Sequence, residues 1–97
     1  MSLGLTIILI TILVILWILY HYKKLNKIYI DERGYERDGY NKLIHRKVAW
    51  KYLYDFNKHP QRFGSYDIHH IDENKLNNHP SNLQILTREE HKAIHGF

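Results

Sequence analysis

Residues 3–20 form an eighteen-residue run without a charge. Six of these residues are Ile, six are Leu and one is Val. At about −0.3 to −0.6 kcal/mol each, those thirteen favour bilayer insertion by roughly −4 to −8 kcal/mol. The run is just long enough to cross a membrane. The rest of this 97-residue chain is too small to wrap it as a buried soluble helix. Trp17, Tyr20 and Tyr22 gather at its C-terminal end, where an interfacial aromatic belt belongs, and Lys23, Lys24 and Lys27 come next. No basic side chain precedes the run, so the positive-inside rule places the C-terminal domain in the cytoplasm. A single-pass membrane anchor is therefore expected over residues 1–22. A cleaved signal peptide is the rival, but its basic start, shorter apolar core and small-residue cleavage site are not obvious.

About 75 residues remain, enough for one small domain without a generous core. There are no cysteines, which removes disulfides and thiolate metal sites and fits a reducing compartment. Residues 23–41 read as a connector. Ile28, Tyr29 and Ile30 suit a short strand, and Gly34 and Gly39 mark turns of an irregular hairpin. Residues 43–57 read as a helix. Ala49, Leu53 and Phe56 share its apolar stripe, with Val48 and Tyr52 beside it. Trp50, Tyr52 and Tyr54 are expected as core and support rather than as base-stacking groups, and His45 as a packing residue rather than a phosphate contact. His59 and His79 each sit near a proline and are read as surface.

Residues 66–95, YDIHHIDENKLNNHPSNLQILTREEHKAIH, hold five of the eight histidines. Thr87 and Glu90 fit a capping box, so a helix should start at Arg88 and stop at Gly96. His91 and His95 lie four residues apart on that helix, share a face and can hold one metal ion. A third ligand must come from elsewhere. Residues 67–71 read as a short strand breaking into a loop, in which neighbours face opposite sides. Of His69 and His70, one can ligate a metal while the other points at a substrate. Hydrolysis needs that division between a Lewis acid and a base.

These pieces resemble the HNH endonuclease family, whose site is a β-β-α-metal unit. The resemblance rests on the His69-His70 pair, the NNHPSNL loop ending in Asn82, a short strand over 83–86, and the HxxxH helix. HRKVAWKYL also resembles the helix that precedes the family's site. The resemblance implies an α+β fold with a small ββα-metal nuclease domain over residues 42–97. It implies that His69, His91 and His95 are metal ligands and His70 the general base. It implies that Asn82 pins the loop holding His70, with Asn77 and Asn78 ordering that loop. The implied reaction is hydrolysis of DNA to a 5′ phosphate and a 3′ hydroxyl.

Three neutral imidazoles suit zinc or another transition ion, whereas magnesium prefers oxygen ligands, and they leave a coordination position open; the resemblance also admits magnesium, manganese or nickel. Metal binding would also supply folding energy, so chelation is expected to loosen the C-terminal unit. Residues 33–62 carry eight basic and three acidic groups, and residues 63–97 carry three basic and five acidic. The first half can therefore meet a phosphate backbone or an anionic lipid surface. Two residues come after His95, so low sequence specificity is expected. Two other readings stand beside the enzyme. One is a membrane-anchored, metal-stabilised module that holds DNA or a protein without cutting. The other is an exported toxin nuclease, cleaved near Tyr22 and paired with an immunity protein.

Overall fold

Ser2 starts the first helix: its hydroxyl oxygen accepts the Leu5 amide at 3.1 Å. The structure, a computed structural model, describes residues 2–96. Helix α1 covers Leu3–Asn26. At 1.5 Å per residue it is about 36 Å long, against a hydrocarbon thickness of about 30 Å. None of its side chains is buried. The Thr6 and Thr11 hydroxyls donate to the Ser2 and Ile7 carbonyls, so neither demands water. The chain thus has one N-terminal helix long and apolar enough to span a membrane.

The helix runs four residues past the expected anchor because its last turn has a partner. The Gly39 amide donates to the Lys24 carbonyl at 2.9 Å. A Cβ on Gly39 would lie 2.1 Å from that oxygen, so only glycine permits the approach. The His21 ring stacks on Tyr40 with centroids 5.6 Å apart and 4° between planes.

Strands β1, Ile28–Ile30, and β2, Glu36–Asp38, pair antiparallel, with Tyr29 opposite Arg37. This is the hairpin expected in the connector. Its turn is built on Asp31, whose carboxylate accepts the Arg33 and Tyr35 amides and Arg37 Nε. Arg37 foremost, then the Tyr35 amide, hold the Asp31 carboxyl below its ordinary value. At the far end of β2, Asp38 is 1% exposed and accepts from the Tyr40 and Lys42 amides and from Lys47 Nζ.

Helix α2 covers Ile44–Tyr52, shorter than the expected 43–57. The Leu53 and Tyr54 amides both donate to the Ala49 carbonyl, and the helix closes there. Asp55 then captures the Asn57 amide with its side chain and the Lys58 and His59 amides with its carbonyl. Such a local bond competes with helix continuation. Phe56 consequently lies outside the core at 68% exposure, and within the helix Tyr52 and Trp50 are also exposed, at 61% and 58%. Trp50 stacks on Tyr54 instead of filling the interior. His59 is half-buried rather than on the surface, with its ring against Tyr54 and Tyr66.

Strands β3, Asp67–His70, and β4, Leu83–Leu86, form a second antiparallel pair, with His69 opposite Gln84 and His70 opposite Leu83. Helix α3, Arg88–His95, comes last. Ala49, Ile68 and Leu83 form the core, with Val48, Leu53, Phe63 and Ile85 packed around them. The class is α+β, as expected.

Asp38 anchors the junction between hairpin and α2, so Asp38→Ala should cost roughly 1–3 kcal/mol in a thermal melt of the micelle-held chain. Burial alone would raise its carboxyl pKa, but Lys47 and the Lys42 amide outweigh burial and hold it below the ordinary 3.8. Its ionised form therefore stabilises the fold above that value and loses this contribution as pH falls through the lower folded value. The parent and the variant should converge in strong acid. A gap that widened there would contradict the assignment.

Candidate active site

The two-residue period of β3 sorts its side chains. Ile68 and His70 are buried on the α2 side, while Asp67 and His69 are half-buried on the α3 side. Helix α3 begins with the expected capping box: Thr87 Oγ1 accepts the Glu90 amide at 3.1 Å, and Glu90 accepts the Thr87 amide at 2.9 Å. Gly96 ends it in the left-handed region at φ 74°. One turn separates His91 and His95, whose ring centroids are 4.6 Å apart. Their distances to the His69 ring are 5.5 and 5.3 Å. One ring nitrogen from each of the three lies within 4.8 Å of the others.

Asp67 orients this cluster. Its Oδ2 lies 3.0 Å from His91 Nδ1, which donates to it. His91 Nε2 then keeps its lone pair, the usual arrangement of a metal-ligating histidine. That Nε2 lies 3.0 Å from His95 Nε2. Two imidazole nitrogens this close require a proton or a cation between them. Burial first, then the neighbouring His91 and His95, lowers the His69 pKa and keeps its lone pair available. Zinc–nitrogen bonds of about 2.0–2.1 Å put tetrahedral ligand atoms on the order of 3.3 Å apart. The 3.0 Å pair and the 4.8 Å limit bracket that spacing, so the residues fit a divalent ion.

His70 lies on the opposite face and is 6% exposed. Its Nε2 meets Asn78 Oδ1 at 2.8 Å, and Asn78 Nδ2 donates to Glu36 Oε1 at 3.0 Å. An ionised carboxylate only accepts, so the Asn78 amide must turn its oxygen to His70. His70 Nε2 therefore carries the proton and Nδ1 the lone pair. The His45 ring is 5.0 Å from His70 and 5.1 Å from Tyr35. Burial first, then the proximity of His70, pushes the His45 pKa down to about 4, so it is neutral at neutral pH. It packs as expected, but its buried Nδ1 has no partner among the described residues.

Asn82 ties the intervening loop to the strands. Its Oδ1 accepts the Asp72 amide at 3.0 Å, and its Nδ2 donates to Asp72 Oδ1 at 2.8 Å and to the Asn77 carbonyl at 2.9 Å. Asn77 donates to the second Asp72 oxygen at 2.9 Å. Asn77 first, then the Asn74 amide and Asn82, hold the Asp72 carboxyl below its ordinary value. Lys75 closes the far side, donating to the Arg33 carbonyl at 2.8 Å and covering the Tyr35 ring. His79, exposed as expected, caps its own turn by accepting the Ser81 amide.

The fold therefore gathers His69, His91 and His95 into one cluster, and His70 and Asn82 into a hydrogen-bonded frame behind it. Asp67 and Glu36 complete these groups and were missed in the sequence. Asp67 was readable, since it precedes His69 by two on a strand and must share its face. Nothing local flagged Glu36, which reaches the site from 42 residues away.

The profile of the HNH endonuclease family matches residues 58–93, which contain His69, His70, Asn82 and His91. This stretch is an HNH endonuclease segment. A relative from Bacillus subtilis (strain 168), named "SPbeta prophage-derived putative HNH homing endonuclease YosQ", is 43% identical over 83 residues. That alignment covers 77% of this chain and 44% of the relative, so the chain spans under half of the relative's length. No solved structure matches the chain significantly.

Members of the HNH family generally use a divalent metal, and the separate faces of β3 make that use testable here. In calorimetric titrations of the full chain in detergent micelles, His91→Ala should abolish zinc binding while His70→Ala retains it. Equal loss in both variants would contradict the separation.

Proposed function

We propose that this protein is a membrane-anchored, metal-dependent endonuclease that hydrolyses DNA phosphodiester bonds. The observation that carries the reading is the convergence of His69, His91 and His95, with His70 next in the chain to His69; all of these but His95 lie within the segment matching the family. His69, His91 and His95 would hold the ion, with zinc the first expectation. When bound, a divalent ion supplies Lewis-acid stabilisation of the charge that builds on the phosphate.

The chain's own groups do the rest. His70 Nδ1 takes a proton from water as that water's oxygen bonds to phosphorus. The bond from phosphorus to the 3′ oxygen breaks in line, and that oxygen takes a proton from solvent, leaving a 5′ phosphate and a 3′ hydroxyl. Glu36 and Asn78 hold the His70 tautomer this requires. Asn82 acts as a positioning residue through the loop it ties down. Residues 42–97 form the nuclease domain, and the hairpin within connector 23–41 lends it Tyr35 and Glu36. The basic half, residues 33–62, meets the DNA backbone without reading bases, which gives low sequence specificity. The N-terminal helix anchors the protein, with the lysines after it on the cytoplasmic side.

One observation favours a second reading, a metal-stabilised module that holds DNA without cutting. His70 is 6% exposed, and a base must touch water.

Supercoiled plasmid separates the two. The micelle-held full chain should nick it with added zinc, manganese, nickel or magnesium, and should stop in EDTA. His70→Ala should lower the rate at least a hundredfold, the scale of a general base. Undiminished nicking by His70→Ala would remove His70 from the chemistry. Binding without nicking by the zinc-loaded parent would establish the second reading.

A further inference from the structure

Beside the histidine cluster lies a cleft of about 270 Å³. Arg33, Arg37, His45 and Arg46 line it, together with Asp67 and the cluster residue His91. Three features point to an anion. Helix α2 has no side-chain cap at Leu43 and no acidic residue in its first turn, which instead carries His45 and Arg46. First-turn amides lack intrahelical partners and present the positive end of the helix dipole. His45 is 7% exposed, and its Nδ1 has no hydrogen-bond partner among the described residues. Three guanidinium groups line the cleft; Arg37 is paired with Asp31, and the one lining carboxylate, Asp67, is already engaged by His91, so Arg33 and Arg46 carry the uncompensated charge.

The arginines divide the work. Arg46 donates Nη1 and Nη2 to the Tyr66 and Phe63 carbonyls, so it contributes charge from a fixed position. Arg37 uses Nε on Asp31 and Nη1 on the Asn41 carbonyl, and its Nη2 makes neither bond. The exposed Arg33 side chain makes no ion pair among the described residues.

We propose that this cleft is a phosphate subsite that takes a nucleic-acid backbone phosphate flanking the one cleaved. The proposal rests on the nuclease reading for its substrate. His91 and Asp67 border both the cleft and the histidine cluster, so the two adjoin and one strand could reach both. A lipid phosphate is the other source of this chemistry. No residue of α1 lines the cleft, whereas Leu25 of α1 lines the larger groove formed with α2 and Phe63. The subsite therefore faces the substrate rather than the anchor. His45 would donate from Nδ1, and Arg33 would close over the phosphate.

The test uses the full chain in neutral detergent micelles with EDTA, which stops cleavage and keeps phosphate from a metal. Inorganic phosphate, a short DNA duplex and phosphatidylglycerol are titrated separately while the His45 side-chain nitrogens are followed by NMR. Phosphate and DNA should both shift His45, and phosphatidylglycerol should not. Arg33→Ala, an exposed site that leaves the fold intact, should weaken phosphate binding about tenfold, as expected for one charge-assisted hydrogen bond. An unmoved His45, an unchanged Arg33→Ala affinity, or a response to the lipid alone would overturn the proposal. Plasmid nicking with an unmoved His45 would sink the subsite and leave the nuclease standing. A shifted His45 with tenfold weaker Arg33→Ala binding but no nicking would support the subsite and sink the nuclease.

Discussion

Helix α3 buries no side chain, so polar contacts must fix it to the domain. Its capping box shapes its start but ties it to nothing distant. What reaches across is Asp67 to His91, the looser approach of Arg88 to Asp67 at 3.8 Å, and the three imidazoles that meet at His69. A helix of eight residues is marginal alone in water. A shared metal ion would turn three mutually crowding nitrogens into the strongest tie between α3 and β3. The chemistry and the folding energy of the C-terminal unit would then have one source.

Behind β3 a different kind of order prevails. His70 sits in a frame of neutral amides and buried rings, with Asn78 bridging it to Glu36. Asn82 and Asp72 fix the loop that presents Asn78. The first hairpin is therefore part of the site. Asp31 shapes its turn, Lys75 clasps it, and Gly39 seats α1 against its end. Through that glycine the apolar helix joins the domain directly, so the candidate site has a defined relation to the helix axis.

Much of this was legible in the sequence because its causes are local. The capping box, the terminal Gly96, the alternation of β3 and the extent of β4 depend on neighbours within four residues. The end of α2 did not, since Asp55 withdraws backbone donors that an apolar stripe through Phe56 would otherwise have kept helical. Trp50 and Tyr52 lie within the helix and nevertheless face solvent. Glu36, Tyr35 and the arginine-lined cleft were invisible for another reason. They depend on the hairpin folding back over the loop, and no periodicity records a contact across 42 residues.

Whether one ion holds α3 to β3 can be read from amide hydrogen exchange of α3, with and without zinc. Exchange should be slow across the α3 amides in the zinc-loaded full chain. It should become fast in EDTA and in His69→Ala, although His69 lies outside the helix. Protection of α3 that is equal with and without metal would mean that the three histidines do not share an ion that holds the site together.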